Sequence, residues 1–561
     1  MSFQDLTIIF NGEIYNHLEL RKRFDLSCST NSDTETILHL FNKQGIACLE
    51  AFDGMFAFAI YDASQNKLIL ARDRAGKKPL FYHKVGSQFA FASELNALHR
   101  QLQPSINDSS LFAYLHTGYF FQDATPYQSV YKLPGGSYAE YDLNSHDLSI
   151  KKWWDISNYY STRSADDLPT ALQKVDSKLT EAVERRINSS DLEVGSFLSG
   201  GIDSGLITAM AAATKPNLKT FTVSFRGGGY DESHLAKLVA DRYSTSHTEI
   251  EISFDHLTTD VEKILSNYGL PFFDSSAIPS YYVSKEAKKH LTVILNGDGG
   301  DELFGGYRRY VPFSRFDFFS SPAALQAALK PLLRLLPNPR AKNNKYNYLY
   351  RLIDLATKSG FDCYSSATLD IFDGYSKNIN GDRATAIAKY VDSFERVDRS
   401  NESGLRKILN LDFDHILEAD LLIKMDIATM ANSLEGRSPL LGKELLEFVP
   451  SLSDDLKVRG TTTKYLLREL GKKYLPAPII DQPKRGFEIP LKDWVDGQLK
   501  TIISDYILSP NAYCRNYVKG EFIDSLMSKR INVAPEKRAK MIWSLFAMEV
   551  WYQKCYRWNS H

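Results

Sequence analysis

One stretch constrains the fold of this chain more than any other: Ser199-Gly200-Gly201-Ile202-Asp203-Ser204. An apolar run, 194–198, precedes it, and a run of small residues, 205–213, follows. The pattern predicts a strand, a glycine-rich loop and a helix. The alternation extends to both sides. A helix is expected over 170–187, a strand over 220–225, a helix around 232–242 and a strand over 248–252. A further apolar run, 291–295, leads into a second glycine-rich loop. Repeated strand–loop–helix units imply a parallel sheet with right-handed crossovers. In such sheets ligands bind at the carboxyl ends of the strands. Beyond Ser314 the chain reads as largely helical.

The first third has a different rhythm. Short aromatic and apolar runs at 55–61 and 68–71, and again at 80–82 and 89–92, are spaced as hairpins. The run 6–10 reads as a strand that stops at Asn11-Gly12, a turn-like pair. Residues 32–41 open on a Ser/Asp cap and carry Ile37, Leu38, Leu40 and Phe41, which predicts a helix. This is an α+β unit with stacked sheets. The polar stretch 161–167 has no apolar period and marks a boundary, giving units over 1–155 and 167–561.

A length of 561 residues calls for two or three domains. A formal net charge of -1 favours neither nucleic acid nor an anionic membrane as a partner. The five cysteines (Cys28, Cys48, Cys363, Cys514 and Cys555) lack paired spacing. That speaks against a disulfide framework and a cysteine-ligated zinc, and for a reducing, cytoplasmic setting.

The loop at 199–204 suits a phosphate. Its glycines let backbone N–H groups approach, the following helix start adds positive potential, and Asp203 can reach a metal carried by the phosphate. It is neither the dinucleotide G-x-G-x-x-G nor a Walker A loop, which would need Gly-Lys-Ser/Thr. Taken alone, a Gly-Gly pair is as well explained by a tight turn.

In full, S-G-G-x-D-S resembles the pyrophosphate loop of enzymes that split ATP between its α- and β-phosphates. These include asparagine synthetases, β-lactam synthetases, GMP synthetases and thiouridine-forming enzymes. Three further segments narrow the resemblance to the asparagine synthetase family. They are Asn296-Gly297-Asp298-Gly299-Gly300-Asp301-Glu302-Leu303-Phe304-Gly305-Gly306-Tyr307, then Ser433-Leu434-Glu435-Gly436-Arg437-Ser438-Pro439-Leu440-Leu441, and Pro483-Lys484-Arg485-Gly486-Phe487. The likeness runs from Ile9 to about Trp494.

The resemblance implies a β-aspartyl-AMP intermediate made from aspartate and ATP, with ammonia attacking the acyl-adenylate. It implies ATP and Mg²⁺ as cofactors, with Asp203 and Asp301 on the metal. Leu198, Ser199, Gly200, Gly201, Asp203, Ser204, Val223, Asn296 and Gly297 would bind ATP. Lys484 would stabilise charge on the α-phosphate, and Asp298 would take the proton of the attacking amine. Asn296 stands where the family usually has Ser, Ile427 where Arg is common, and Gly442 where Asp is common. The last two leave the acceptor open between aspartate and another carboxylate, such as a sugar acid or peptide.

Asn11-Gly12-Glu13-Ile14-Tyr15-Asn16-His17, Ser32-Asp33-Thr34-Glu35 and Arg72-Asp73-Arg74-Ala75-Gly76-Lys77-Lys78-Pro79-Leu80 resemble the glutaminase half of the same enzymes. The implied fold is an Ntn-type glutaminase, incomplete at its start, joined to an α/β ATP-pyrophosphatase unit with a helical C-terminal part. Asn11 and Gly12 would form the oxyanion hole, and Glu13 and Asp33 would bind the α-amino group of glutamine. Family members carry an N-terminal Cys nucleophile, whereas Cys28 and Cys48 are internal. The expectation for this chain is therefore ammonia rather than glutamine as nitrogen source. A non-catalytic remnant of a broken gene is the reading from another class. Expected partners are small molecules: aspartate or another carboxylate, with ammonia or glutamine. A homodimer is one compatible assembly, and no nucleic acid or membrane partner is expected.

Overall fold

The structure is a computed structural model that describes residues 1–225, 232–337, 345–368, 371–372, 374–482 and 489–557. Lys484 lies outside the described residues.

The first 152 residues carry β1 (Ser2–Phe3), β2 (Leu6–Ile14), β3 (Gly54–Asp62), β4 (Lys67–Arg72), β5 (Phe81–Val85), β6 (Gln88–Ala92), β7 (Val130–Lys132), β8 (Ser137–Asp142) and β9 (Leu148–Lys152). They build a six-stranded sheet ordered β1-β2-β3-β4-β8-β9 and a three-stranded sheet ordered β6-β5-β7. Strand periodicity explains the layering. Along β3, Phe56, Phe58 and Ile60 face one core with Ile37, Leu38 and Phe41 of helix α1 (Asp33–Gln44). The alternate residues Ala57 and Ala59 face a second core with Leu80 and Tyr82 of the smaller sheet. Small residues on that side let the two sheets approach. Ser32 caps α1 by accepting from Thr34 N, as the sequence predicted.

Asn11-Gly12 does not end β2. The strand runs on to Ile14, pairing Asn11 with Ala57 and Gly12 with Phe56. A Cβ on Gly12 would lie 2.0 Å from the Met55 carbonyl. The glycine serves a close strand approach rather than a turn.

The second unit opens with α2 (Leu168–Asn188), capped by the Asp167 side chain on Thr170 N. Its sheet contains β10 (Val194–Phe197), β11 (Lys219–Phe225), β12 (Ser246–Ile252), β13 (Val293–Leu295) and β14 (Glu435–Arg437). All neighbours are parallel, in the order β12-β11-β10-β13-β14. Helices α3 (Ile202–Thr214) and α4 (Ser233–Arg242) supply crossovers. The strand order runs outward from β10 to β11 and β12 on one side and to β13 on the other. The crevice where the order reverses lies between β10 and β13, the two strands that feed the glycine-rich loops. After β13 come α5 (Gly300–Phe304), α6 (Tyr465–Tyr474) and the buried α7 (Pro535–Trp551) among many other helices.

A buried polar seam joins the two units. Arg72 donates to Glu418 at 2.5 Å, and Lys132 stands 3.3 Å from the same carboxylate. Lys78 meets Asp426 at 2.8 Å, and Arg186 meets Asp53 at 3.4 Å. Glu418 sits on a π-helical stretch, Phe413–Leu422. Gly76, with φ +68°, lets loop 73–78 press on that stretch: a Cβ there would lie 3.0 Å from Glu418 Cγ.

Candidate active site

The first loop closes on itself. Ser204 Oγ accepts from Ser199 N at 3.1 Å and donates to the Gly201 carbonyl at 3.2 Å. Gly200 takes φ +74°, and Gly201 begins α3. A Cβ on Gly201 would meet nothing nearer than Ser199 Oγ at 3.5 Å, so space is open over the helix start. Leu198 is fully buried and donates its N–H to Phe221 O at 2.8 Å. Val223 lies further along β11, towards the same ends of the strands.

The second loop interlocks with the first. A Cβ on Gly297 would lie 3.0 Å from Asp203 Cβ, and one on Gly300 would lie 2.8 Å from Asp203 Cγ. Only glycine backbone lets the Asp203 side chain pass. Gly299, at φ +87°, turns the chain into α5, whose first turn holds Asp301.

Between the two loops lies a lysine that the sequence reading did not single out. The Lys464 ammonium contacts Asp203 Oδ2 and stands 2.7 Å from Asp301 Oδ1. Its side chain is only 3% exposed. Lys464 starts α6 with φ +51°, a strained backbone for a non-glycine residue. Gly306 makes room for it, since a Cβ there would lie 2.3 Å from Lys464 Cε. The local signal for Lys464 is slight: a Thr-Thr-Thr-Lys run before an amphipathic helix.

Buried charge sets the electrostatics. Burial, and then the neighbouring Asp301, push the Glu302 carboxyl up to about 7, while the Tyr307 hydroxyl donates to it. Asp203 Oδ1 is buried and accepts no hydrogen bond among the described residues. A free carboxylate oxygen beside an open helix start fits an oxygen-seeking cation carried on a phosphate chain. Asn296 Nδ2 is likewise buried without an acceptor. The structure thus gathers Ser199, Gly200, Gly201, Asp203, Ser204, Gly297 and Asp301 at one crevice.

Asn296 and Asp298 face the N-terminal unit. Lys77 donates to Asp298 Oδ2 at 3.2 Å and to Ser438 Oγ at 3.0 Å. Ser438 in turn donates to Asn296 Oδ1 at 2.7 Å. Ser438 follows β14, whose Arg437 carbonyl accepts from Asn296 N at 2.9 Å.

Asn11, Gly12, Glu13 and Asp33 also come together. Asp33 Oδ2 accepts from Ile14 N at 2.9 Å, which seats the start of α1 on β2. Asn11 donates to Ser93 Oγ at 3.0 Å. Burial lifts the Glu13 carboxyl to about 8 and also raises Asp33. Among the described residues, Glu13 pairs with Arg437 of the second unit, at 3.6 Å.

The five cysteines are free, and burial raises all five thiols. Cys28, Glu35 and His39 cluster closely enough to hold an ion. Glu35, however, already accepts four hydrogen bonds, from the N–H and hydroxyl of Ser29 and of Thr30. These take all of its acceptor positions, so it serves as a structural knot rather than an open ligand.

Two family models match the chain. The model described as asparagine synthase covers residues 174–553, and the glutamine amidotransferase domain covers residues 1–154. Asparagine synthetase [glutamine-hydrolyzing] 1 of Bacillus subtilis is 31% identical over 98% of this chain and 86% of its own length. Asparagine synthetase [glutamine-hydrolyzing] 3 of the same organism is 27% identical over 86% of this chain and 75% of its own. Amidase chyE of Penicillium rubens is 25% identical over 91% and 81%. Among solved structures, a glutamine phosphoribosylpyrophosphate amidotransferase from B. subtilis covers 38% of this chain and 45% of its own, at 17% identity and a TM-score of 0.20. The chain belongs to the asparagine synthase family. It is an asparagine synthase-like ligase, of the group that forms amides at the expense of ATP. Among the described residues no helix is long and apolar enough to cross a membrane.

Proposed function

We propose that the chain activates the side-chain carboxylate of aspartate as a β-aspartyl adenylate and converts it to asparagine, releasing pyrophosphate and AMP. The observation that carries this reading is Lys464, held between Asp203 and Asp301 where the two glycine-rich loops interlock. Asp203 and Asp301 are suited to hold Mg²⁺, which would neutralise the departing pyrophosphate. The backbone N–H groups at the start of α3 receive phosphate oxygens. Lys464 is the described cation placed to meet charge developing on the α-phosphate, a point-charge task. Lys484 remains a second candidate for that task on the strength of its motif. Asp298 takes the proton of the attacking amine. Leu198, Val223, Asn296 and Gly297 flank the nucleotide.

Ammonia is the nitrogen source that the state of the thiols favours. Burial pushes all five thiols up, whereas a cysteine nucleophile must ionise. Glu13 and Asp33 form an acidic pocket suited to the ammonium of an amino acid such as glutamine.

Pyrophosphate release with ATP, Mg²⁺ and ammonium tests the reading. With aspartate added, stoichiometric asparagine, AMP and pyrophosphate are expected. Release only with another carboxylate would move the acceptor to a sugar acid or peptide. Failure to release pyrophosphate with any carboxylate tried would leave the non-catalytic reading standing. Glutamate formed from glutamine by this chain would overturn the ammonia assignment.

A further inference from the structure

Among the described residues, the lysine paired with Asp298 comes from the other unit. Lys77 belongs to loop 73–78, and that loop is rigidly built. Asp73 accepts from Lys77 N at 2.9 Å through one carboxylate oxygen and from Lys78 N at 3.0 Å through the other. Arg72 clamps the same loop from outside, donating to the carbonyls of Lys78, Gly76 and Leu133 and to Glu418. The Lys77 side chain, only 5% exposed, leaves this frame and ends on Asp298 Oδ2 and Ser438 Oγ. Ser438 extends the chain of contacts to Asn296 Oδ1. One carboxylate oxygen of Asp298, Oδ2, is thereby occupied by the lysine, and the other faces the role of accepting a substrate proton.

We propose that Lys77 is a positioning residue of the synthetase site, supplied by the N-terminal unit, which fixes Asp298 for the amine-attack step. This rests on the adenylation reading above. In that step the ammonia nitrogen bonds to the acyl carbon, the acyl C–O bond to the phosphate breaks, and its electron pair leaves with AMP. The proton lost by nitrogen goes to Asp298. Lys77 holds the accepting carboxylate still and takes no proton itself. Adenylation precedes any role for Asp298, so the two half-reactions separate the idea from a general structural effect.

The test uses Lys77→Met in the full chain. Adenylation is read by exchange of labelled pyrophosphate into ATP with carboxylate and no ammonium. Amide formation is read across ammonium concentrations. The expected result is a fall of about 10- to 100-fold in the ratio of amide formation to exchange, carried by kcat, with partial recovery in Lys77→Arg. An unchanged ratio in a chain that does exchange overturns the role of Lys77 and leaves adenylation standing. An equal fall in both rates with a lowered unfolding midpoint also overturns it, by showing that Lys77 only braces the seam. Absence of exchange in the unaltered chain, with any carboxylate, removes the adenylation reading and this inference with it.

Discussion

Two acidic pockets face the interior of this molecule, and they handle their charge in opposite ways. At the crevice between the glycine-rich loops, Asp203 and Asp301 share the buried Lys464. One lysine balances part of the charge of the two carboxylates before any ligand arrives. At the N-terminal pocket, burial raises the Glu13 and Asp33 carboxyls, and of the two it is Asp33 that has His17 of the same unit near it. Arg437 approaches Glu13 only to 3.6 Å and also serves Glu435 at 2.7 Å. A buried cation already in place is what preorganised stabilisation of developing charge requires. The second holds its acids closer to their neutral forms.

The largest effect should come from removing the compensation at the crevice. Lys464→Met is expected to lower ATP-dependent pyrophosphate release by about 10³-fold with little change in fold, read by a coupled pyrophosphate assay. Retention of most of the activity would leave Lys464 a structural counter-ion and return the role to Lys484. Next in size is the seam between the units. Glu418→Gln leaves Arg72 and Lys132 facing a neutral amide in a buried site, with an expected loss of about 3 kcal/mol in chemical unfolding. A negligible loss would mean that the seam contributes specificity rather than stability.

The smallest effect tests the N-terminal pocket through pH. Glu13 binds its proton at about 8 in the folded chain and near its ordinary 4.5 when unfolded. Its contribution to stability is complete below about 4.5 and is lost as pH rises through 8. Glu13→Gln stays neutral across this window. Relative to the parent chain it should therefore gain stability from pH 4.5 to 8, by about 1–2 kcal/mol after allowing for partial solvent access. Parallel stability curves for the two chains would show that Glu13 is already ionised and paired with Arg437.

The sequence disclosed what local pattern can carry. The alternation of apolar runs, glycine loops and small-residue helices around Ser199 announced a parallel sheet and the ends at which its ligands bind. It could not disclose β14, whose residues Glu435, Gly436 and Arg437 have no strand-like pattern. They form a strand only because β13 offers an open edge. Asn11-Gly12 misled for a related reason. The pair is a common turn, but here the glycine is required by the carbonyl of Met55 across the strand pair. Lys464 and Lys77 were hidden because a lysine's partners lie far away in sequence. Lys464 meets Asp203, 261 positions earlier, and Lys77 meets Asp298, 221 positions later.

The late pairing of β14 bears on how the chain is made. β13 is complete at Leu295, but its partner begins only at Glu435. While the intervening helices are being synthesised, the strand that leads into the second loop borders an open sheet edge, a template for pairing with other chains. Lys464 emerges later still. The carboxylates of the crevice therefore spend that interval without their lysine, and the crevice reaches its final charge balance only after Lys464 has emerged.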